Sequence, residues 1–109
     1  MRMRRLRVLL AEDHETVREA LRLLFETKGD IDIVADVRDG AAAIEAASTL
    51  EPDVAVLDVA MPGMNGLAAT RAIKQRAPNV AIVALTRHSE AVYVQELLAA
   101  GASGYVLKQ

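Results

Sequence analysis

The sequence contains no cysteine. Disulfides, thiol catalysis and cysteine-ligated zinc are therefore excluded. Tryptophan is also absent, and the aromatic content is one phenylalanine and two tyrosines. Leu, Val, Ile and many Ala must then fill the core, and such small side chains suit helices packed closely on a sheet. No apolar run approaches the ~20 residues that a membrane span needs. The basic start (Arg2, Arg4, Arg5 and Arg7) is followed too soon by Glu12 and Asp13 to be a signal peptide. It reads as a solvated tail rather than a phosphate-binding arm. A strong charge of either sign is lacking as well. The formal net charge is -2, too near neutral to imply nucleic-acid binding by this segment. These absences predict a cytoplasmic protein without membrane contact.

What is present is a chain of 109 residues, which fits one domain. Hydrophobic residues make up 52% and charged residues 26%, enough for a sizeable core and against disorder. Short apolar runs alternate with helical periodicity. Arg7 to Ala11 reads as a buried strand ending in acids. Val17, Ala20, Leu21, Leu24 and Phe25 fall at helical spacing, and that helix should stop near Gly29. Ile31 to Ala35 is a second strand and Ala41 to Leu50 a second, Ala-rich helix. Val54 to Leu57 is a third strand. A loop with Pro62, Gly63 and Gly66 leads into a helix from Leu67 to Arg76, with Pro78 as its stop signal. Val80 to Leu85, Glu90 to Ala100 and Ser103 to Leu107 complete the series as strand, helix and strand.

Near-continuous apolar strands alternating with helices predict a doubly wound parallel α/β sheet. A helix would normally follow the last strand of such a sheet, but only Lys108 and Gln109 remain. The expectation is one domain over residues 1–109, truncated after its fifth strand, with one sheet face uncovered. That face would be covered by a partner or by self-association with a second copy.

In open parallel sheets functional groups gather at the carboxyl ends of the strands. Read off in turn, those ends carry Glu12 and Asp13, then Asp58, then Thr86, then Lys108. Carboxylates crowded on one rim repel: two unit charges 4 Å apart cost about 4 kcal/mol at an effective dielectric of 20. A hard divalent cation relieves this, and oxygen-only ligands favour Mg2+. A phosphoryl group would fit between the metal, the Lys108 ammonium and the Thr86 hydroxyl. Phosphoryl transfer needs such positioning and charge stabilisation. Asp58 as a carboxylate nucleophile would form an acyl phosphate.

Four stretches carry a resemblance: Val8-Leu9-Leu10-Ala11-Glu12-Asp13-His14, Asp58-Val59-Ala60-Met61-Pro62-Gly63-Met64-Asn65-Gly66, Ala84-Leu85-Thr86, and Gly101-Ala102-Ser103-Gly104-Tyr105-Val106-Leu107-Lys108. Together they resemble the receiver domain of two-component response regulators, of the kind joined to a LuxR/NarL-type DNA-binding output. The resemblance covers nearly the whole chain. It implies a flavodoxin-like sheet of order 2-1-3-4-5 and phosphorylation of Asp58 by a sensor histidine kinase. It implies Mg2+ held by Asp13 and Asp58 directly, by Glu12 through water and by the Ala60 carbonyl. Thr86 and Tyr105 would be the switch pair, and Lys108 would pair with the phosphoryl group. The implied function is signalling rather than conventional enzymology, with transcription controlled through an output domain that these residues do not contain. Arg87 departs from the family, which usually has a small residue there. With Ala60 offering no polar side chain, Arg87 and His88 are expected to tune access or phosphoryl lifetime.

Taken singly, each residue has a plainer reading. Glu12 and Asp13 could cap the first helix, Asp58 could be a turn residue, and Lys108 and Thr86 could be ordinary strand-end residues. Tyr105 could be packing, and His14 and His88 could be surface side chains. Gly40 to Ala47 reads as core-facing helix rather than a nucleotide loop. Rival functions are also open. Asp13-His14-Glu15-Thr16-Val17 loosely resembles the nucleophile motif of haloacid-dehalogenase phosphatases, although Glu15 stands where Asp is needed. A flavin or nucleotide module would need a Gly-rich cradle after the first strand, and acids occupy that loop. A third rival is a receiver-shaped interaction module that is never phosphorylated.

Overall fold

The computed structural model describes residues 5–61, 65–86 and 91–108. Strands and helices alternate: β1 (Leu6–Ala11), α1 (Glu15–Lys28), β2 (Ile31–Val37), α2 (Gly40–Leu50), β3 (Val54–Asp58), α3 (Gly66–Arg76), β4 (Ala81–Thr86), α4 (Ala91–Ala99) and β5 (Gly104–Leu107). All strand pairs are parallel, and the sheet order is β2-β1-β3-β4-β5. The flavodoxin-like fold and its strand order are as the sequence predicts.

Local chemistry explains the boundaries. Asp39 accepts the Ala42 N–H at 2.8 Å and so starts α2 one residue before the expected Ala41. Asn65 does the same for α3 through the Ala68 N–H at 2.9 Å. Gly29 ends α1 with φ 79, in the left-handed region that glycine adopts without strain. Val80 lies outside β4 because its N–H turns back to the Ala77 carbonyl at 3.0 Å.

Side chains alternate across the sheet. Leu9, Ala11, Ala55, Leu57, Ile82 and Ala84 face a core shared with Ala43, Ile44 and Ala47 of α2, Ala69 and Ile73 of α3, and Leu97 of α4. Ala43 and Ala47 are fully buried, so small side chains let α2 lie close to the sheet. The stretch from Gly40 to Ala47 is thus core-facing helix, as expected. The other face carries Val8, Leu10, Val56 and Leu85 beneath Leu21 and Phe25 of α1. There an apolar groove of about 380 Å³ lies open beside α1, lined by Leu24, Phe25, Val56, Leu85 and Val106 among others.

One irregularity was not foreseen. The β1–β2 register shifts between Val8 and Leu9: Val8 pairs with Ile33, but Leu9 pairs with Ala35. The extra β2 residue reverses the inside–outside alternation. Ile31 and Ile33 pack on the α1 side, whereas Ala35 and Val37 pack on the α2 side. Asp36 therefore turns toward α1.

Candidate functional site

Register brings the acids level. Ala11 pairs with Leu57, so the next residues, Glu12 and Asp58, emerge side by side at the carboxyl end of the sheet. Asp58 in turn pairs with Leu85, which places Thr86 one step further on the neighbouring strand. Thr86 pairs with Leu107, and the Lys108 N–H continues that ladder to the Thr86 carbonyl at 2.7 Å. Strand order puts β1 and β3 adjacent although α1, β2 and α2 separate them in sequence, and this is the crevice where open sheets place their sites.

Glu12 is fully buried and Asp58 is 1% exposed. Lys108 holds both: its Nζ donates to Glu12 Oε1 at 3.0 Å and to Asp58 Oδ2 at 3.2 Å. Asp58 Oδ1 accepts the Ala60 N–H at 3.0 Å, which folds the chain sharply after β3. Glu12 Oε2 accepts the His14 N–H at 3.1 Å, and the His14 ring Nδ1 lies 3.2 Å from the same oxygen. The acids are not spent on capping: the N-cap of α1 is His14, which makes no side-chain cap bond.

Burial pushes the Asp58 carboxyl up, but hydrogen bonding with the Glu12 carboxyl, the Ala60 N–H and Lys108 outweighs it. The net direction is below the ordinary carboxylate value. Burial likewise pulls Lys108 down, and its bonds to Glu12 and Asp58 more than reverse this, so the ammonium is held above its usual value. Both directions describe an ionised pair in the resting protein.

Ligand atoms of Glu12, Asp13, His14 and Asp58 all lie within 4.8 Å of one another. Asp13 Oδ1 is buried and accepts no hydrogen bond, with His14 Nδ1 3.4 Å away. A buried carboxylate oxygen with an open lone pair, facing two further carboxylates, suits a divalent cation with oxygen ligands. The residues present therefore fit Mg2+.

Four of the sequence-predicted residues, Glu12, Asp13, Asp58 and Lys108, thus come together, and Thr86 is buried at the adjoining strand end. Ala60 meets Asp58 through its N–H. Tyr105 lies in β5, paired with Ala84 and 43% exposed, so its ring is not locked in the core. Arg87, His88 and Pro62 lie outside the described residues. His14 is exposed, as its surface reading expects, yet it also bridges Glu12 and Asp13.

Sequence reasoning passed over Tyr93 and Arg18. Tyr93 of α4 packs on the larger core, and its phenol is pushed up by burial, then by the charges of Glu96 and Asp58. Arg18 is buried at 5% exposure and donates to the Glu12 carbonyl at 3.0 Å. The signal for Arg18 was legible: it occupies the same helical stripe as Leu21 and Phe25, where an arginine needs a partner.

Comparison with known proteins identifies the family. Residues 8–109 match the family model of the response regulator receiver domain. The transcriptional regulatory protein DegU of Brevibacillus brevis is 36% identical over 105 residues, which is 96% of this chain and 44% of that protein. The response regulator protein VraR of Staphylococcus saprophyticus is 38% identical over 103 residues, 94% of this chain and 49% of that protein. Among solved structures, a two-component response regulator of the LuxR family from Aurantimonas superposes with a TM-score of 0.91 at 35% identity, covering 96% of this chain and 75% of that one. The response regulator domain of Thermotoga maritima CheB superposes with a TM-score of 0.91 at 30% identity, covering 96% of this chain and 79% of that one. The chain spans about half the length of the curated relatives it matches. It belongs to the receiver domain family of two-component response regulators, with transcriptional regulators of the DegU and LuxR type as relatives. As such it is a signalling module and not a conventional enzyme. No helix among the described residues is long and apolar enough to cross a membrane.

Proposed function

We propose that Asp58 accepts a phosphoryl group from the phosphohistidine of a sensor histidine kinase. The observation that carries this reading is the shared cation: one ammonium, Lys108, bonds two buried carboxylates from different strands. On phosphorylation Lys108 would let go of Asp58 and take up a phosphoryl oxygen instead. An Asp58 carboxylate oxygen would attack phosphorus in line. The P–N bond of the donor breaks, its electron pair stays on the imidazole, and an acyl phosphate remains on Asp58.

Asp13 and Asp58 would hold Mg2+ directly, Glu12 through water, and the Ala60 carbonyl from the backbone. The ion would neutralise the acids and orient the incoming phosphoryl group. Thr86 would donate its hydroxyl to the phosphoryl group, and Tyr105 would follow into the space vacated. A local charge change would in this way bias the surface around α4 and β5 between two arrangements. Arg87 and His88 would tune access and the rate at which the protein removes its own phosphoryl group. Residues 1–109 would serve as the receiver part of a longer regulator whose DNA-binding output lies beyond them. Self-association through the groove face belongs to the same proposal, and a monodisperse monomer by light scattering at high concentration would count against it.

The central test is to incubate the protein with a small phosphodonor and Mg2+ and to map the adduct by mass spectrometry. The adduct should lie on Asp58, and Asp58→Asn should abolish it. Modification of Asp13 instead would favour the phosphatase-like rival. An adduct that persists in Asp58→Asn overturns the reading.

A further inference from the structure

We infer that Arg18 is a positioning residue for the acidic pair: by holding the carbonyl of the Glu12–Asp13 peptide, it sets the angle at which the Asp13 carboxylate faces the metal position. This rests on the Mg2+ reading above and goes beyond it.

Arginine is almost never buried without partners. The Arg18 side chain is 6% exposed, and its Nη1 donates to the Glu12 carbonyl at 3.0 Å. That carbonyl belongs to the peptide linking Glu12 to Asp13, at the point where the chain leaves β1 and bends before α1. The preceding peptide is held on the other side, where the Glu12 N–H donates to the Val37 carbonyl at 3.0 Å. These two bonds fix the peptides on either side of the Glu12 Cα, and the peptide on the far side of Asp13 is tied as well, because the His14 N–H donates to Glu12 Oε2 at 3.1 Å. The open Asp13 Oδ1 is therefore presented in a fixed direction.

Asp36 explains how the guanidinium is aimed. The register shift in β2 turns Asp36 toward α1. There its Oδ1 lies 3.6 Å from Arg18 Nε, while its Oδ2 pairs with Arg22 Nη1. Bulges beside functional sites commonly re-aim side chains in this way. Arg22 reaches the same carboxylate but is 39% exposed and also pairs with Glu26. The two arginines thus differ in one respect that matters: of the pair, it is Arg18 that donates to the Glu12 carbonyl. Arg18 touches Glu12 through the backbone and not through the carboxylate, so it acts on geometry rather than on charge.

The test titrates Mg2+ into the full chain by calorimetry, for wild type, Arg18→Met, Arg18→Lys and Arg22→Met. Removing an outer-shell partner of a metal ligand typically costs about 10- to 100-fold in affinity. Arg18→Met should weaken Mg2+ binding by that order. The half-saturating Mg2+ for Asp58 adduct formation should rise in parallel, while the rate at saturating Mg2+ stays at the wild-type value. Arg22→Met, which removes a partner of Asp36 without touching the Glu12 carbonyl, should leave Mg2+ affinity unchanged. If Arg18→Met fails to fold, Arg18→Lys decides, because one ammonium cannot hold the Glu12 carbonyl and Asp36 in the same fork; its affinity should also fall. A folded Arg18 variant with wild-type affinity, or an equal loss in Arg22→Met, overturns the assignment. A wild-type protein that binds no Mg2+ would instead defeat the metal reading itself, so the two failures are distinguishable.

Discussion

Lys108 and Glu12 stand 96 positions apart in the chain, and the lysine ammonium donates to the Glu12 carboxylate at 3.0 Å. The same ammonium bonds Asp58, so a residue at the far end of the sequence closes the site built at its beginning and middle. Removing it should leave two buried carboxylates without their cation. Breaking a buried pair from one side typically costs about 3 to 5 kcal/mol, and Lys108→Met should lose about 3 kcal/mol at neutral pH in urea unfolding. A loss within error of zero would mean that the ammonium is solvated in solution.

The pH dependence follows from the two directions of shift. Asp58 is held below its ordinary value, so its contribution is present above about pH 3.9 and is lost as pH falls through the lower folded value. Lys108 is held above its ordinary value, so its contribution is full below about pH 10.4 and is lost as pH rises through the higher folded value. Wild-type stability from this pair should be flat between those limits. In Lys108→Met, burial acts on Asp58 without that opposing bond, and acidification from about pH 7 to about pH 5 should stabilise the variant relative to wild type. Denaturant midpoints at the two pH values check the sign.

Gly66 should not tolerate a side chain. An added Cβ would lie 2.3 Å from Val59 Cα and 2.4 Å from Val59 Cβ, and the Gly66 N–H bonds the Val59 carbonyl at 3.0 Å. The clash is with backbone next to Asp58, which cannot move aside cheaply. Gly66→Ala should cost about 1 to 3 kcal/mol and should slow Asp58 adduct formation. Unfolding midpoints and adduct mass read the two effects separately.

Asp13 is the carboxylate with the least support in the absence of metal. Asp13→Asn removes one charge from the cluster. The metal-free variant should gain about 1 kcal/mol, the order expected for a well-solvated pair of like charges. Added Mg2+ should raise the melting temperature of wild type but not of this variant. Thermal melts with Mg2+ and with a chelator measure both.

Thr86→Ala tests the switch separately from the chemistry. Thr86 is 1% exposed at the end of β4, next to the Lys108 N–H. The adduct should still form on Asp58, but the phosphorylation-dependent change in the Tyr105 ring signals by NMR should be lost. Unchanged Tyr105 shifts on phosphorylating the wild type would remove the switch role.

Most of the architecture was legible because it depends on local periodicity. Buried strands such as Val54 to Leu57 are all apolar, and α3 announces its end through Pro78. The rim could also be read from sequence, since parallel strands carry their polar ends to one side and Glu12, Asp58, Thr86 and Lys108 each follow an apolar run. Boundaries moved by a residue or two where a turn bond competed with the ladder, as at Val80.

The sequence by itself thus determined the βα rhythm, the family and the residues at the strand ends, because those follow from spacing along the chain. Only the tertiary structure decided which residues meet. The pairing of Lys108 with Glu12 depends on β1, β3, β4 and β5 lying in that order. The turning of Asp36 toward Arg18 depends on a one-residue register shift that leaves no periodic mark. Register is a property of two strands together, set by packing on both faces of the sheet, and no single strand's sequence contains it.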